Sequence, residues 1–536
     1  MSDVVLGQAA TRAGDDRVAA SRYAAWAQIL VLTAVFGAAY SQFPLYYSAQ
    51  NQYFFHGVMR AGFGLLRQDW VAQTPDPWPL FTALVEFTHL YLDARAFYVY
   101  FILLLGVYLF SLVGIASLLF PIKTARGRYL AYLALLVGVH SPVVGALSSK
   151  LIGLNLGRAL IEGVASQRIL WDMFQPGAFG VFLLLSIYLF LRGRLLAAAA
   201  AQAVAVAFNP AYLLTAALLT CGYMVALVRR EKGLRDAIGL GAATFVLVLP
   251  VIAYVVLAFR PARPDLWTQA QDILVHFRLS RHALPAAWFN STVLVQGAVV
   301  LAGLYAVRQT AIFAVLATAA AAAVVLTAAQ VVTGNTTLAL LYPWRVSVVL
   351  VPLATALLIA RLVTSRIGVD RTRVLVPLSV LAMVVFAGAG AIVTAQRFTP
   401  RAAPEIGAMN FVKTTKSVGN VYMIPLATDG RDPFGYAGVT ANWQYFRLWT
   451  GAPALVDYWF IPYNDVAVVE WYRRVRAADA FYRGAGARRC QSAEQLRAAY
   501  QITHIILKSD DSEICAGWRV VMEDRHYRIY FLGGVR

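Results

Sequence analysis

Apolar residues fill long unbroken blocks through the first three quarters of the chain, and shorter periodic patterns replace them afterwards. A helix that crosses a bilayer needs about 20 mainly apolar residues. Eleven stretches meet or approach that length: 23–41, 96–120, 129–148, 177–192, 195–209, 211–228, 237–258, 291–307, 310–331, 343–362 and 374–395. Only Arg192, Gly193 and Arg194 separate the fourth from the fifth, and the Ala-rich run 194–208 suits close helix packing in lipid.

Near residue 400 the pattern becomes that of a water-exposed α/β unit. "PEIGAMNFVKTT" reads as a helix, "NVYMIPL" as a strand and "VAVVEWYRRVRAADAFY" as an amphipathic helix with Trp471 and Val475 on its buried side. "SAEQLRAAY" opens on a Ser…Glu pair read as a capping box and leads into the strand "THIILKS". "WRVVMED" and "RHYRIYFL" form a closing hairpin. The expected fold class is a polytopic α-helical membrane protein of about eleven spans with a C-terminal extracytoplasmic α/β domain. The domains are a cytoplasmic tail over 1–22, a transmembrane domain over 23–398 with a large first outer loop (42–95), and the α/β domain over 399–536.

Charge placement sets the orientation. Arg12, Arg17 and Arg22, then Lys123, Arg126 and Arg128, then Arg192 and Arg194, the basic run at 229–235, Arg308, and Arg361, Arg366, Arg371 and Arg373 all fall on one side. The positive-inside rule makes that side cytoplasmic, with the N-terminus inside and the C-terminal domain outside an inner (plasma) membrane. The opposite loops, 42–95, 149–176, 259–290 and 332–342, are longer and mixed in charge.

Composition then narrows the classes. Of 536 residues, 60% are hydrophobic and 14% charged, far from the roughly 25% charged of soluble domains. The net charge of +19 does not point to nucleic acid, because from Glu405 onward 16 Lys/Arg face 13 Asp/Glu and the excess lies among the membrane segments. There is no GxxxxGK[ST], HExxH, CxxC or GxSxG motif. No cofactor is called for, and a divalent metal stays open. Cys221 reads as a small buried hydrophobe, and Cys490 and Cys515 become a possible disulfide if their part of the chain is extracytoplasmic.

Polar functional groups collect in the outer loops: Gln50, Gln52, His56, Arg60, Arg67, Asp69 and Asp76 in the first, then Arg158, Glu162, Arg168 and Asp172, then His276, Arg278, Arg281 and His282, and Arg345 at a helix mouth. Transfer from a polyprenyl-phosphate donor needs such a set. The lipid lies in the membrane, Arg groups hold its phosphate, and a carboxylate activates the acceptor hydroxyl. Asp69 is the first candidate base and Asp76 the second; Arg158, Arg168, Arg278, Arg281, His282 and Arg345 are the candidate substrate-binding groups. Simpler roles stand beside these. Asp69 caps a turn or pairs with Arg67 or Arg60, "TPDPWP" is a rigid turn around Asp76, and the arginines reach lipid headgroups.

This layout resembles the GT-C class of integral-membrane glycosyltransferases. "NQYFFHGVMRAGFGLLRQDWVAQTPDPWPLFTALV", "QRILWDMFQPGAFGVFLLLSIYLFLRGR", "FNPAYLLTAALLTCGYMV" and "FRLWTGAPALVDYWFIPYNDVAVVEWYRRV" are similar to stretches of an uncharacterised family of bacterial polytopic membrane proteins. The GT-C resemblance implies a polyprenyl-phosphate sugar donor and a catalytic acid in the first outer loop. Just after the first helix, where that class often has the acid, this chain has Gln50, Asn51 and Gln52. The alternatives are a non-catalytic membrane protein whose outer domain organises a partner, and a transporter of a lipid or amphiphile.

Overall fold

The computed structural model describes residues 27–229, 233–366, 372–399, 403–426, 443–511 and 515–533. The tail over 1–22, residues 230–232 of the basic run and Arg371 lie outside them. Every apolar block expected from the sequence contains helix. Among the described residues, six helices are long and apolar enough to cross a membrane: Ala96–Leu119, Pro210–Val228, Gly233–Ala258, Ala311–Thr333, Thr336–Ser365 (which contains the 3-10 turn Pro343–Val346) and Arg373–Phe398. Four apolar helices are shorter among the described residues: Ala27–Tyr40, Pro176–Leu191, Leu195–Phe208 and Ser291–Ala306. Large apolar side chains such as Phe245, Val246, Leu301, Leu381 and Val384 stay exposed on them, as lipid-facing surface requires.

Two departures from the expected spans have local causes. The block 129–148 is a bent pair, Arg126–His140 and Pro142–Ile152, with 68° between its halves. Pro142 cannot donate to the preceding turn, so Ser141 caps a new helix and accepts from Val143 N. The helices either side of Arg192–Arg194 form a tight hairpin because Gly193 takes φ 73°. Cys221, expected to be buried, is exposed on its helix.

The C-terminal part holds a four-stranded sheet: β1 (Tyr422–Met423), β2 (His504–Lys508), β3 (Arg519–Glu523) and β4 (Tyr527–Phe531), in the order β1-β2-β4-β3. β1 runs parallel to β2, and β3 and β4 form an antiparallel hairpin. Its corner is tied by Asp524, whose Oδ1 accepts from His526 N and Tyr527 N. Alternation along β2 decides the packing. Ile505 and Leu507 meet Val468, Trp471 and Val475 of the Asp465–Arg483 helix, while Ile506 meets Ala408, Met409 and Val412 of the Ile406–Thr415 helix.

The capping box expected at Ser492 does not form, because its helix begins earlier, at Gly486, and runs to Tyr500. The added turns are anchored. Cys490 is joined to Cys515 by a disulfide, with Cα atoms 5.5 Å apart. The neighbouring Arg489 guanidinium donates to both carboxylate oxygens of Asp511 at 2.7 Å.

Candidate functional site

The loop over 42–95 contains helices Gln50–Arg60 and Pro79–Tyr91, joined by short 3-10 turns. Phe54, Phe55 and Val58 face the core, and Gly57 lets the second helix approach closely. A Cβ at Gly57 would stand 2.6 Å from Val85 Cβ. The loop is fastened directly to the C-terminal domain. Leu65 N donates to Gly451 O at 2.7 Å, and Gln52 Nε2 donates to Ile461 O at 2.9 Å.

Asp69 sits at this fastening. Its carboxylate accepts from Arg447 Nε at 2.6 Å, Ala454 N at 2.9 Å and Val71 N at 3.0 Å, with Arg447 Nη2 at 3.4 Å. The side chains of Asp69 and Arg447 are 0% and 3% exposed. Its partner therefore comes from the C-terminal domain, not from Arg60 or Arg67. Trp70 beside it lies under the Arg474 guanidinium, 4.4 Å from the ring centroid. Asp76 is also buried; Oδ1 accepts from Trp78 N at 3.0 Å and Oδ2 lies 3.3 Å from Arg60 Nη2. Arg60 is thus the partner of Asp76, and within "TPDPWP" Asp76 holds the Trp78 backbone.

The six candidate binding groups divide into two sets. Arg158 and Arg168 both turn to the buried carboxylate of Glu162, at 3.7 and 2.7 Å, and Arg168 stacks 4.2 Å over Trp171. Arg278, Arg281, His282 and Arg345 come together instead. His282 Nδ1 donates to Ala165 O at 2.9 Å, which ties the third loop to the second. Burial pushes the His282 pKa down to about 4; the hydrogen bond to Ala165 opposes this, and Arg345, Arg278 and Arg281 lower it further. The ring is neutral at pH 7, and the side chains acting on it are all cations.

Arg278 reaches across to the C-terminal domain. Its Nε donates to Tyr458 O at 3.1 Å and Nη2 to Trp459 O at 3.0 Å, with both rings stacked on its guanidinium. Burial lowers its pKa, opposed by Tyr458, Tyr463, Asp457 and Tyr342. Arg345 stacks on Tyr342, 4.9 Å from the ring centroid, directly before the Ser347–Arg366 helix.

Backbone strain and orphaned polar atoms gather at the same junction. Ala165, Ser166 and Tyr342 have φ of 60°, 56° and 49°, each a left-handed conformation that costs a non-glycine residue about 1–3 kcal/mol. Both amide atoms of Gln167, the Nε atoms of Arg168 and Arg345, and Trp344 Nε1 are buried without a hydrogen-bond partner among the described residues. The segment carrying Ala165 packs on Trp344 through Val164, and Val164 N donates to Ser347 Oγ at 2.8 Å. Such atoms need a polar ligand or water.

Beside Trp78 lies a narrow recess with room for about one water. Trp78 meets Tyr53 edge-on at 4.5 Å and Tyr463 at 5.5 Å. Burial raises the Tyr53 pKa, and the charges of Arg345 and Arg278 lower it. Gln52, His56, Thr74, Phe460 and Tyr463 complete the recess. A second, equally narrow cavity, at Tyr40, Tyr108 and His140, differs in kind. There Tyr108 OH bonds His140 Nε2 at 2.9 Å and Tyr40 donates to Leu170 O at 2.7 Å, so its polar groups satisfy one another or the backbone.

Sequence patterns did not single out Tyr53, His56, Trp78, Tyr463, Asp457 or Arg447. His56 stood in the list of polar loop groups, and its spacing of four from Gln52 was the available signal. Among the described residues no three His, Cys, Asp or Glu side chains converge to hold a metal ion.

No protein-family model and no curated protein matches the chain. Among solved structures it is similar to ArnT from Cupriavidus metallidurans in the apo state, with TM-score 0.43 and 14% identity over 97% of this chain and 100% of that one. Neither value bears on what this chain does.

Proposed function

We propose that this chain is a GT-C-type glycosyltransferase of the bacterial inner membrane that takes its sugar from a polyprenyl-phosphate donor on the outer face. The observation that carries this reading is the cluster of Arg278, Arg281 and Arg345 around one neutral imidazole, His282. Three guanidinium groups around an uncharged ring create a positive local potential, and Arg is the side chain best matched to phosphate. Arg345 stands in the 3-10 turn directly before the Ser347–Arg366 helix, inside the apolar stretch Thr336–Ser365, so an anion held there is well placed to carry a lipid tail. The N-terminal end of that helix adds its dipole to the attraction.

The carboxylates expected to act as base take different parts in this reading. Asp69, with its oxygens occupied by four donors, docks the C-terminal domain and thereby holds Tyr458, Trp459 and Tyr463 over the cluster. The acid–base function belongs to the Asp76 side of the loop, next to the recess. Arg158 and Arg168, matched to Glu162, shape the second loop and do not hold the donor. The test uses the full chain in nanodiscs with a set of undecaprenyl-phosphoryl hexoses and pentoses. Release of undecaprenyl phosphate from at least one, lost in Arg345→Gln, is the expected result. Release from none of them by wild type contradicts the reading.

A further inference from the structure

We propose that the narrow cavity at Tyr40, Tyr108 and His140 is a binding site for a single water molecule. The water donates its two protons to the two tyrosine oxygens and so ties the second outer loop to the membrane helices. This site stands independently of the transferase reading.

The cavity has room for about one water, and Tyr40, Tyr108 and His140 are 6%, 2% and 5% exposed. Its chemistry follows from counting protons. A charged imidazole enclosed here without a carboxylate is costly, so the His140 ring is neutral. The Leu136 carbonyl can only accept, so His140 Nδ1 carries the proton of the 2.7 Å hydrogen bond between them. His140 Nε2 therefore accepts, and Tyr108 donates to it at 2.9 Å. Tyr40 gives its own proton to Leu170 O at 2.7 Å. Both hydroxyl protons are thus committed inside the protein, and each oxygen keeps lone pairs to offer. A cavity walled by two acceptors calls for a small ligand that donates twice. Water does so without bringing a charge into the apolar interior, where a cation lacking a carboxylate is costly.

The backbone around the cavity adds a second reason for water to bind there. Pro352, in its wall, stands inside the Ser347–Arg366 helix and has no N–H for the Val348 carbonyl one turn earlier. His140 ends the first half of the bent pair, whose halves meet at 68°. Interrupted helices persist in a bilayer where protein or water meets the freed backbone groups. The same wall holds Ile169 and Leu170 of the second outer loop. One water there joins these helices to the loop that carries Ala165, the acceptor of His282.

The experiment is a crystal structure of the full chain grown from lipid, at a resolution that shows ordered water elsewhere in the chain. Wild type should show one oxygen about 2.5–3.0 Å from both Tyr40 Oη and Tyr108 Oη. Tyr40→Phe, which removes one acceptor and little volume, should lose that oxygen. No density between the two hydroxyls in wild type overturns the site, and so does a peak unchanged in position and height in Tyr40→Phe. Growth with rubidium in place of sodium separates water from a cation: an anomalous peak at the site overturns the water assignment. Hydrogen exchange of the full chain in nanodiscs tests the tie. Tyr108→Phe removes an acceptor whose own hydrogen bond is to His140, yet amides of 161–170 should exchange about two- to tenfold faster. Exchange at 161–170 equal to wild type overturns the tie, as does an equal acceleration throughout the chain.

Discussion

Replacing Asp69 by Asn separates a docking role from a catalytic one. The carboxylate is fully enclosed and receives four donors, two from Arg447 and two from the backbone at Val71 and Ala454. Asn keeps one acceptor oxygen, turns an NH2 toward donors, and leaves the 3%-exposed Arg447 charge without its counterion. Removing one partner of a buried pair costs about 3–5 kcal/mol, mostly from the charge left behind. The segment 443–463 should then open roughly a hundred- to few-thousand-fold more often. Hydrogen exchange of the full chain in nanodiscs reads this directly, as faster exchange in 443–463 and in 65–73 with the apolar helices unchanged. Asp69→Leu with Arg447→Met, which removes both charges, should recover most of the protection. Exchange identical to wild type in Asp69→Asn, with transfer lost, would refute the docking role and return Asp69 to the position of base.

Three further outcomes follow from particular contacts. His282 has a folded pKa of about 4 against 6.5 unfolded, so below pH 6.5 the unfolded chain binds the extra proton. Stability should fall by up to about 3 kcal/mol between pH 6.5 and 4, and His282→Gln should flatten that part of the pH–melting curve. The Cys490–Cys515 disulfide closes a 25-residue separation, and replacing both cysteines by Ala should cost about 2–4 kcal/mol, seen as faster proteolysis of the Gly486–Tyr500 helix. Gly57→Ala, whose Cβ would meet Val85 at 2.6 Å, should lower stability by about 1–3 kcal/mol, and an unchanged melting temperature would deny the close approach.

Much of the fold was legible because its signals are local. Apolar blocks mark membrane helices, since lipid offers the backbone no hydrogen bonds. The short apolar run in "THIILKS" marked a strand, and Trp471 and Val475 marked the inner side of their helix. What failed was also local but finer. Pro142 broke an expected span, and the Gly486 start pre-empted the Ser492 cap.

The candidate site was legible only in part. Arg278, Arg281, His282 and Arg345 were visible as basic groups at loop positions, yet sequence gave no means to tell them from Arg158 and Arg168. That separation depends on Glu162, whose side chain lies within 4 Å of both. Asp69 was expected as a base, or as a cap or partner of Arg60 or Arg67 in its own loop, whereas its ion-pair partner is 378 positions away. Tyr458, Trp459 and Tyr463 join the site through the same long-range docking, which no pattern of spacing reports.

The measurement that bears most directly on the central claim is the melting temperature of the purified chain in nanodiscs with undecaprenyl phosphate and with undecaprenol. The two ligands share the tail and differ only in the anion. Undecaprenyl phosphate at a hundred times its dissociation constant should stabilise wild type by about 2.7 kcal/mol. Undecaprenol should not, and Arg345→Gln should lose most of the difference. Equal responses to both lipids, or a phosphate effect untouched by Arg345→Gln, would contradict the account.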